Sequence, residues 1–326
     1  MSADQIFNSF SKLNILIIGD VMLDSHIWGN VERISPEAPV PVIQVKKKDF
    51  RLGGAGNVAV NIHALGASPV LCALVGHDDD GQRVMRLMQE NGMSQSGLVV
   101  SKDRPTTVKT RVIAGHQHVV RVDEESDREA NASEENELLQ RIEKLLPQCQ
   151  AVIFEDYDKG VLNEKIINRT TELAAQHSIP TIVDPKKRNF LFYKNITLFK
   201  PNLKELREGL KVEVNAANLN QVQQAVSLLK NKLNVRGVMV TLSEHGVYID
   251  YNQQIKIPAH AREIADVSGA GDTVVSVATL CVALKLETKI IAELSNLAGG
   301  LVCQHVGVVP IDKEELKREA VRLGLN

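Results

Sequence analysis

The sequence predicts an α/β fold in which a mostly parallel central sheet is covered by helices on both faces and flanked by a small β-sheet lid. Three observations lead there. Short β-branched runs alternate with longer stretches of helical periodicity along most of the chain. The strand candidates are apolar along their whole length, as strands buried on both faces of a parallel sheet are. Residues 21–50 and 97–124 break that rhythm with alternating apolar and polar positions, the pattern of antiparallel strands with one face toward water or a ligand. At 326 residues the chain passes the size at which one core usually stops growing. We therefore expect one large domain with an attached subdomain, or two domains, and read the chain as a single domain over 1–326 with a discontinuous lid.

The first strand is "NILIIG" at 14–19, followed by the first lid segment, 21–50, with the alternating run "VPVIQVK". Next come a helix over 56–65, the strand "PVLCALVG" at 69–76 and a helix over 79–91. The second lid segment, 97–124, contains most of "TTVKTRVIAGHQHVVRVDEE". Helices over 133–146, 163–177 and 216–232 then alternate with the strands "AVIF" at 151–154, "PTIVD" at 180–184, "ITLFK" at 196–200 and "GVMVTL" at 237–242. A last helix starts near Gly271 and runs through "VVSVATLCVAL", 274–284, which falls well short of the roughly 20 residues that cross a bilayer. It reads as a buried helix.

Composition narrows the function classes. The chain is 44% hydrophobic and 24% charged with a formal net charge of -2, an ordinary soluble balance that points to neither a nucleic-acid nor a membrane partner. Cys72, Cys149, Cys281 and Cys303 are scattered without a metal or disulfide spacing. The N-terminus lacks the basic and apolar regions of a signal peptide, so we expect a cytoplasmic protein.

Two glycine clusters carry the chemistry. In "DVSGAGDT", 266–273, the small residues at 268–271 let backbone N–H groups converge, and the following helix adds its positive dipole end. Asp272 in the first turn could then take a proton from an attacking hydroxyl while the N–H groups of the small-residue segment form an anion hole for a transferring phosphoryl group. A plain glycine turn before a helix explains the same residues. In "GGAGNVAVNIHALGA", 53–67, a GxGxxG/A dinucleotide pattern is present, but it follows the polar "KKKDFR" instead of a strand. A turn at Gly53 and Gly54 whose backbone lies against a polar ligand, with the Asn57 amide on sugar hydroxyls, fits better.

These two segments, in this order and at opposite ends of the chain, resemble the signatures of the ribokinase-like (PfkB) carbohydrate kinases. The resemblance implies the ribokinase-like three-layer fold and covers nearly the whole sequence. Within the family, "GDVMLDSHIWGNVERISPEAPVPVIQV", the lid run at 106–125, "DYDKG" at 156–160 and "VDPKK" at 183–187 are similar to the kinases of ADP-heptose biosynthesis. Those enzymes use ATP to phosphorylate C1 of D-glycero-D-manno-heptose 7-phosphate, for lipopolysaccharide core precursors. Many carry a nucleotidyltransferase domain with an HxGH motif, which this sequence lacks, so a stand-alone kinase is expected.

The resemblance implies Asp272 as catalytic base, the amides of Gly269, Ala270 and Gly271 as anion hole, and Asp24 and Asn57 on the sugar hydroxyls. It places Mg²⁺ on Asn202 and Glu205 of "PNLKE", a pair that equally fits a helix cap with a reciprocal glutamate. Lys186 is assigned to ATP phosphates, Thr241 to Gly246 to the nucleotide-side turn, and Asn296 to the adenine. Val308 stands where relatives often have threonine, in the region of a monovalent-cation site. For the acceptor's phosphate, Lys109 and Arg111 alternate with Val108 and Val112 and share one strand face, where they could also be a solvated edge. Arg33 and Arg121 are further candidates, and the His116/His118 pair carries no zinc assignment. Exposed lid strands would favour a homodimer through the lid. The alternatives are a PfkB-type kinase for another sugar or sugar phosphate, an NAD-dependent oxidoreductase, and a non-catalytic sugar or nucleotide sensor.

Overall fold

The computed structural model describes residues 1–115, 117–260 and 262–325; His116 lies outside the described residues. In chain order the strands are β1 (Asn14–Gly19), β2 (Val21–Ile34), β3 (Pro41–Gly54), β4 (Ser68–Gly76), β5 (Leu98–Ser101), β6 (Thr107–Ala114) and β7 (Gln117–Glu124). They continue with β8 (Ala151–Glu155), β9 (Thr181–Asp184), β10 (Leu198–Phe199), β11 (Gly237–Thr241), β12 (Val247–Asp250) and β13 (Gln254–Ile257). The α-helices are α1 (Ala3–Ser9), α2 (Ala55–Ala64), α3 (Asp79–Glu90), α4 (Ala132–Leu145), α5 (Glu164–Gln176), α6 (Leu203–Leu210), α7 (Leu219–Leu233), α8 (Ala270–Ala283), α9 (Thr288–Val302) and α10 (Lys313–Arg322).

Nine strands form the central sheet in the order β13-β12-β11-β10-β9-β8-β1-β4-β5. Its pairs are parallel from β5 across to β11, and only the β11–β12–β13 edge is antiparallel. Strand β1 shows why three layers follow. Ile15 and Ile17 belong to one apolar cluster, with Val58 and Ile62 of α2, Val275 of α8 and Leu294 of α9. Leu16 and Ile18, pointing the other way, join Leu138 of α4, Ile166 of α5 and Val222 of α7. Helix α8 is buried at every position from Asp272 to Val282, which its nearly unbroken apolar sequence requires.

The lid is a separate four-stranded sheet in the order β3-β2-β6-β7. It differs from the expected boundaries at two places. Residues 98–101 pair with β4 at the edge of the central sheet, so the second lid segment begins at Thr107. The first segment continues past residue 50 to Gly54 and runs straight into α2. Helices α1, α6, α9 and α10 and the β12–β13 hairpin were not anticipated by the periodicity. No described helix is long and apolar enough to cross a membrane.

Candidate active site

Parallel strands β1, β8, β9 and β10 all deliver their carboxyl ends to one side of the sheet, the place where open α/β sheets bind ligands. Each delivers a charged residue there: Asp20 after β1, Glu155 at the end of β8, Asp184 at the end of β9 and Lys200 after β10. Register sets Gly19 beside Glu155 and Glu155 beside Asp184. Helix α8 starts over this edge. Its N-cap, Gly269, has φ 78°, a left-handed conformation that favours glycine, and among the described residues no side chain caps the helix. A Cβ on Gly271 would lie 3.6 Å from Asp184 Oδ2 and 3.8 Å from Lys200 Nζ, so the first turn sits against the charged cluster.

Asp272 is the centre of this arrangement and is buried. Asn57 Nδ2 donates to its Oδ2 at 2.7 Å, and the Tyr157 hydroxyl donates to its Oδ1 at 2.8 Å. Burial pushes its carboxyl up to about 6, partly offset by those two hydrogen bonds. Glu155, Asp184 and Asp272 bring carboxylate oxygens within 4.8 Å of one another. Both Glu155 oxygens are buried without a hydrogen-bond partner among the described residues, and burial together with the Asp184 and Asp272 charges raises its pKa. Two lysines balance the acids. Lys200 Nζ lies 2.9 Å from Asp184 Oδ2, and Lys186 Nζ lies 2.5 Å from Glu205 Oε1 and 3.9 Å from Asp184 Oδ1. Burial alone would lower the Lys186 pKa, but Asp184 and Glu205 hold it above its ordinary value.

Asn202 and Glu205 form the capping alternative: Asn202 Oδ1 accepts the Glu205 N–H at 2.8 Å, and Glu205 Oε2 accepts the Asn202 N–H at 2.8 Å. With Oε1 on Lys186, both Glu205 oxygens are engaged. Beside the start of α8, Thr241, Gly246, Asn296, Ala270 and Gly271 all line one cleft of about 410 Å³, with Asn296 Nδ2 anchored on the Pro258 carbonyl at 2.9 Å. Lys186 is not among the residues lining this cleft and stands instead at the carboxylate cluster.

On the lid, Asp24 is buried on β2, and a Cβ at Gly53 would collide with its carboxylate, so only glycine fits there. Gly54 has φ 57° and turns the chain into α2, which aims Asn57 at Asp272. Lys109 and Arg111 do share a face but are already paired. Arg111 Nη1 bonds the Asp24 carboxylate, and Lys109 Nζ lies 3.2 Å from Asp123 and 3.0 Å from Glu125. The physical reason is the antiparallel neighbour β7, whose register sets Asp123 opposite Lys109. Arg121 takes the other Asp123 oxygen at 2.9 Å. His118 is exposed on β7, and Arg33 is exposed on β2.

Sequence reasoning missed Tyr157, Glu155, Asp184 and Lys200. A signal existed: each charged residue ends or immediately follows an all-apolar strand, where a buried parallel sheet opens onto its ligand crevice.

The pattern of the pfkB family carbohydrate kinases matches residues 12–314. "Bifunctional protein HldE" from Campylobacter curvus is 40% identical over 297 residues, covering 91% of this chain and 62% of that protein. HldE from Helicobacter pylori strain J99 is 37% identical over 304 residues, 93% of this chain and 65% of that protein. The chain thus spans less than two thirds of the length of these relatives. Among solved structures, phosphofructokinase-2 from Escherichia coli in complex with potassium superposes with a TM-score of 0.78 at 21% identity, over 95% of this chain and 99% of that one. Arabidopsis thaliana ribokinase complexed with ribose and ATP gives 0.72 at 16% identity, over 94% and 99%. At these identities the structures share the fold alone. With the family pattern covering nearly the whole sequence and the ribokinase-like layers in place, the chain belongs to the pfkB family of carbohydrate kinases.

Proposed function

We propose that the chain is an ATP-dependent kinase that phosphorylates C1 of D-glycero-D-manno-heptose 7-phosphate to the 1,7-bisphosphate. This is a step toward ADP-heptose and the lipopolysaccharide core. The single observation that carries the chemistry is the buried Asp272 at the uncapped N-terminus of α8, between the 410 Å³ cleft and the lid-to-α2 turn. The 35–40% identity to HldE proteins supports the heptose acceptor.

In this reading ATP lies in the cleft lined by Thr241, Gly246 and Asn296, with its γ-phosphoryl at the N–H groups of 269–271. Asp24 and Asn57 orient the acceptor sugar, whose C1 hydroxyl gives its proton to Asp272 as its oxygen bonds the γ-phosphorus and ADP departs. The raised pKa of Asp272 makes it a better proton acceptor than a solvated carboxylate. The lid over the sugar excludes water, so that ATP is not hydrolysed instead.

Phosphoryl transfer from ATP calls for Mg²⁺ beside the phosphates. Hard oxygen ligands suit it, and the two partnerless oxygens of Glu155, facing Asp184, are what such an ion satisfies. Glu155 and the Oδ1 of Asp184 would hold it: Asp184 Oδ2 is paired with Lys200, but the nearest cation to Oδ1 is Lys186 Nζ at 3.9 Å, whereas Asp272 is engaged on both oxygens by Asn57 and Tyr157 and Glu205 by its cap and Lys186. Bound there it would supply charge neutralisation for the transferring phosphoryl group. A metal role for Asn202 and Glu205 requires Lys186 to release Glu205. The likeness to phosphofructokinase-2 in complex with potassium supports a monovalent cation, although the Val308 carbonyl is itself held by Arg51 Nη1 at 2.7 Å.

We place the enzyme in the cytoplasm, as a homodimer through the lid. Every residue of β7 is exposed, Val120 and Val122 among them, which supports that interface. Light scattering on a Val120→Asp/Val122→Asp variant would test it; an unchanged dimer contradicts the lid interface.

The test of the reaction is ADP release with Mg²⁺ and ATP across a panel of D-glycero-D-manno-heptose 7-phosphate, fructose phosphates and ribose. Turnover of the heptose phosphate alone supports the proposal, and preferential turnover of another sugar replaces the acceptor. One observation favours that second reading, a PfkB-type kinase for a different sugar: Lys109 and Arg111 are already paired with carboxylates.

A further inference from the structure

We propose that Tyr157 is a positioning residue for Asp272, holding the carboxylate in the plane from which it meets the acceptor hydroxyl. This rests on the phosphoryl-transfer reading of Asp272 and adds to it a residue that neither glycine signature contains.

Three observations lead to it. Asp272 stands within 4.8 Å of two other carboxylates, whose repulsion would turn it away from the phosphoryl site. Two neutral donors prevent that, one on each oxygen: Asn57 on Oδ2 and Tyr157 on Oδ1. Each carboxylate oxygen has two lone pairs, so these contacts leave room for the acceptor hydroxyl.

The segment bearing Tyr157 is built to hold it still. The buried Asp20 carboxylate accepts three backbone N–H groups from it, those of Tyr157 at 2.9 Å and of Lys159 and Val161 at 3.1 Å each. Asp156 accepts the Asp158 N–H at 2.9 Å, Asn189 at 3.0 Å and the Tyr193 hydroxyl at 2.7 Å. Asp158 and Gly160 take left-handed φ values of 56° and 82° to allow this wrap. Burying two carboxylates to order so short a segment costs stability, and neither acid reaches the cleft lining. What the segment delivers to the site is the Tyr157 ring, with Lys186 Nζ 5.2 Å from its centroid and Asp272 at its hydroxyl.

Tyr157 keeps its own proton throughout. The acceptor hydroxyl's proton passes to Asp272, the new O–P bond forms, and the bond to the ADP oxygen breaks.

The experiment is Tyr157→Phe, assayed with ATP and the best acceptor of the panel, in the wild-type and Asp272→Asn backgrounds. In the wild-type background kcat falls roughly tenfold to hundredfold, as for loss of a hydrogen bond to a charged group, with both KM values within about twofold. In the Asp272→Asn background the same change alters kcat by less than about twofold, because nothing is left to position. Asp20→Asn, which loosens the segment without touching Asp272, lowers kcat in the same way. An unaffected kcat in Tyr157→Phe, or equal losses in both backgrounds, overturns the role while wild-type turnover leaves the kinase reading intact. A wild type inactive on every sugar overturns the kinase reading, and this role with it.

Discussion

Lys200→Met isolates the energetics of the charged cluster. Lys200 and Asp184 form an ion pair at 2.9 Å with side chains only 2% and 6% exposed, so neither is solvated in the folded state. Removing one partner of such a pair costs about 3–5 kcal/mol, chiefly because a charge is left buried alone. The low end applies here, because Lys186 remains 3.9 Å from the same carboxylate. For 326 residues at about 2.1 cal/mol/K each, the unfolding entropy is about 0.7 kcal/mol/K, so 3 kcal/mol lowers Tm by about 4 °C. Scanning calorimetry without nucleotide or metal measures this directly. Adding Asp184→Asn to Lys200→Met should restore part of the loss, since the stranded charge is gone. A Tm within 1 °C of wild type in the single variant, or a double variant less stable than the sum of the singles, would refute the argument.

Two further outcomes follow from the same geometry. Burial raises the Asp272 pKa from 3.8 to about 6, so as the proposed base it is protonated below that pH and kcat/KM should rise with an acid limb near pH 6; a limb near pH 4 would mean an ordinary solvated carboxylate. Gly269→Ala forces a Cβ onto φ 78° at 3.0 Å from Asn57 Nδ2, costing on the order of 1–2 kcal/mol of stability and turning Asn57 off Asp272. Turnover should drop more than melting temperature suggests, and full activity in this variant would show that the N-cap conformation is dispensable.

Much of this fold is legible in the chain because its strands are short and β-branched and buried on both faces. "NILIIG" and "PVLCALVG" read as strands from composition alone, and β1 and β4 form there within one residue. Asp272 was legible as a candidate base for a different reason: small residues before a lone aspartate at a helix start leave little to core packing. Glu155, Asp184 and Lys200 were not, because their meeting depends on the register of β8, β9 and β10, which no local pattern encodes. Tyr157 was hidden further, since it reaches Asp272 only through the wrap that Asp20 imposes from the end of β1. For Lys109 and Arg111 alternation gave the correct face, but their partners lie on β7 and β2, beyond what alternation reveals. The Asn202–Glu205 cap shows the converse: one spacing fits two chemistries, and the local hydrogen bonds formed.

The central claim is that Asp272 is the base of a sugar kinase. The direct test is ADP release by Asp272→Asn beside wild type, with Mg²⁺, ATP and D-glycero-D-manno-heptose 7-phosphate. Asparagine preserves the shape and the packing but cannot take the proton. The account predicts wild-type turnover and a loss of roughly 10²-fold to 10⁴-fold in kcat with little change in either KM. A variant that retains turnover within about tenfold of wild type would contradict it.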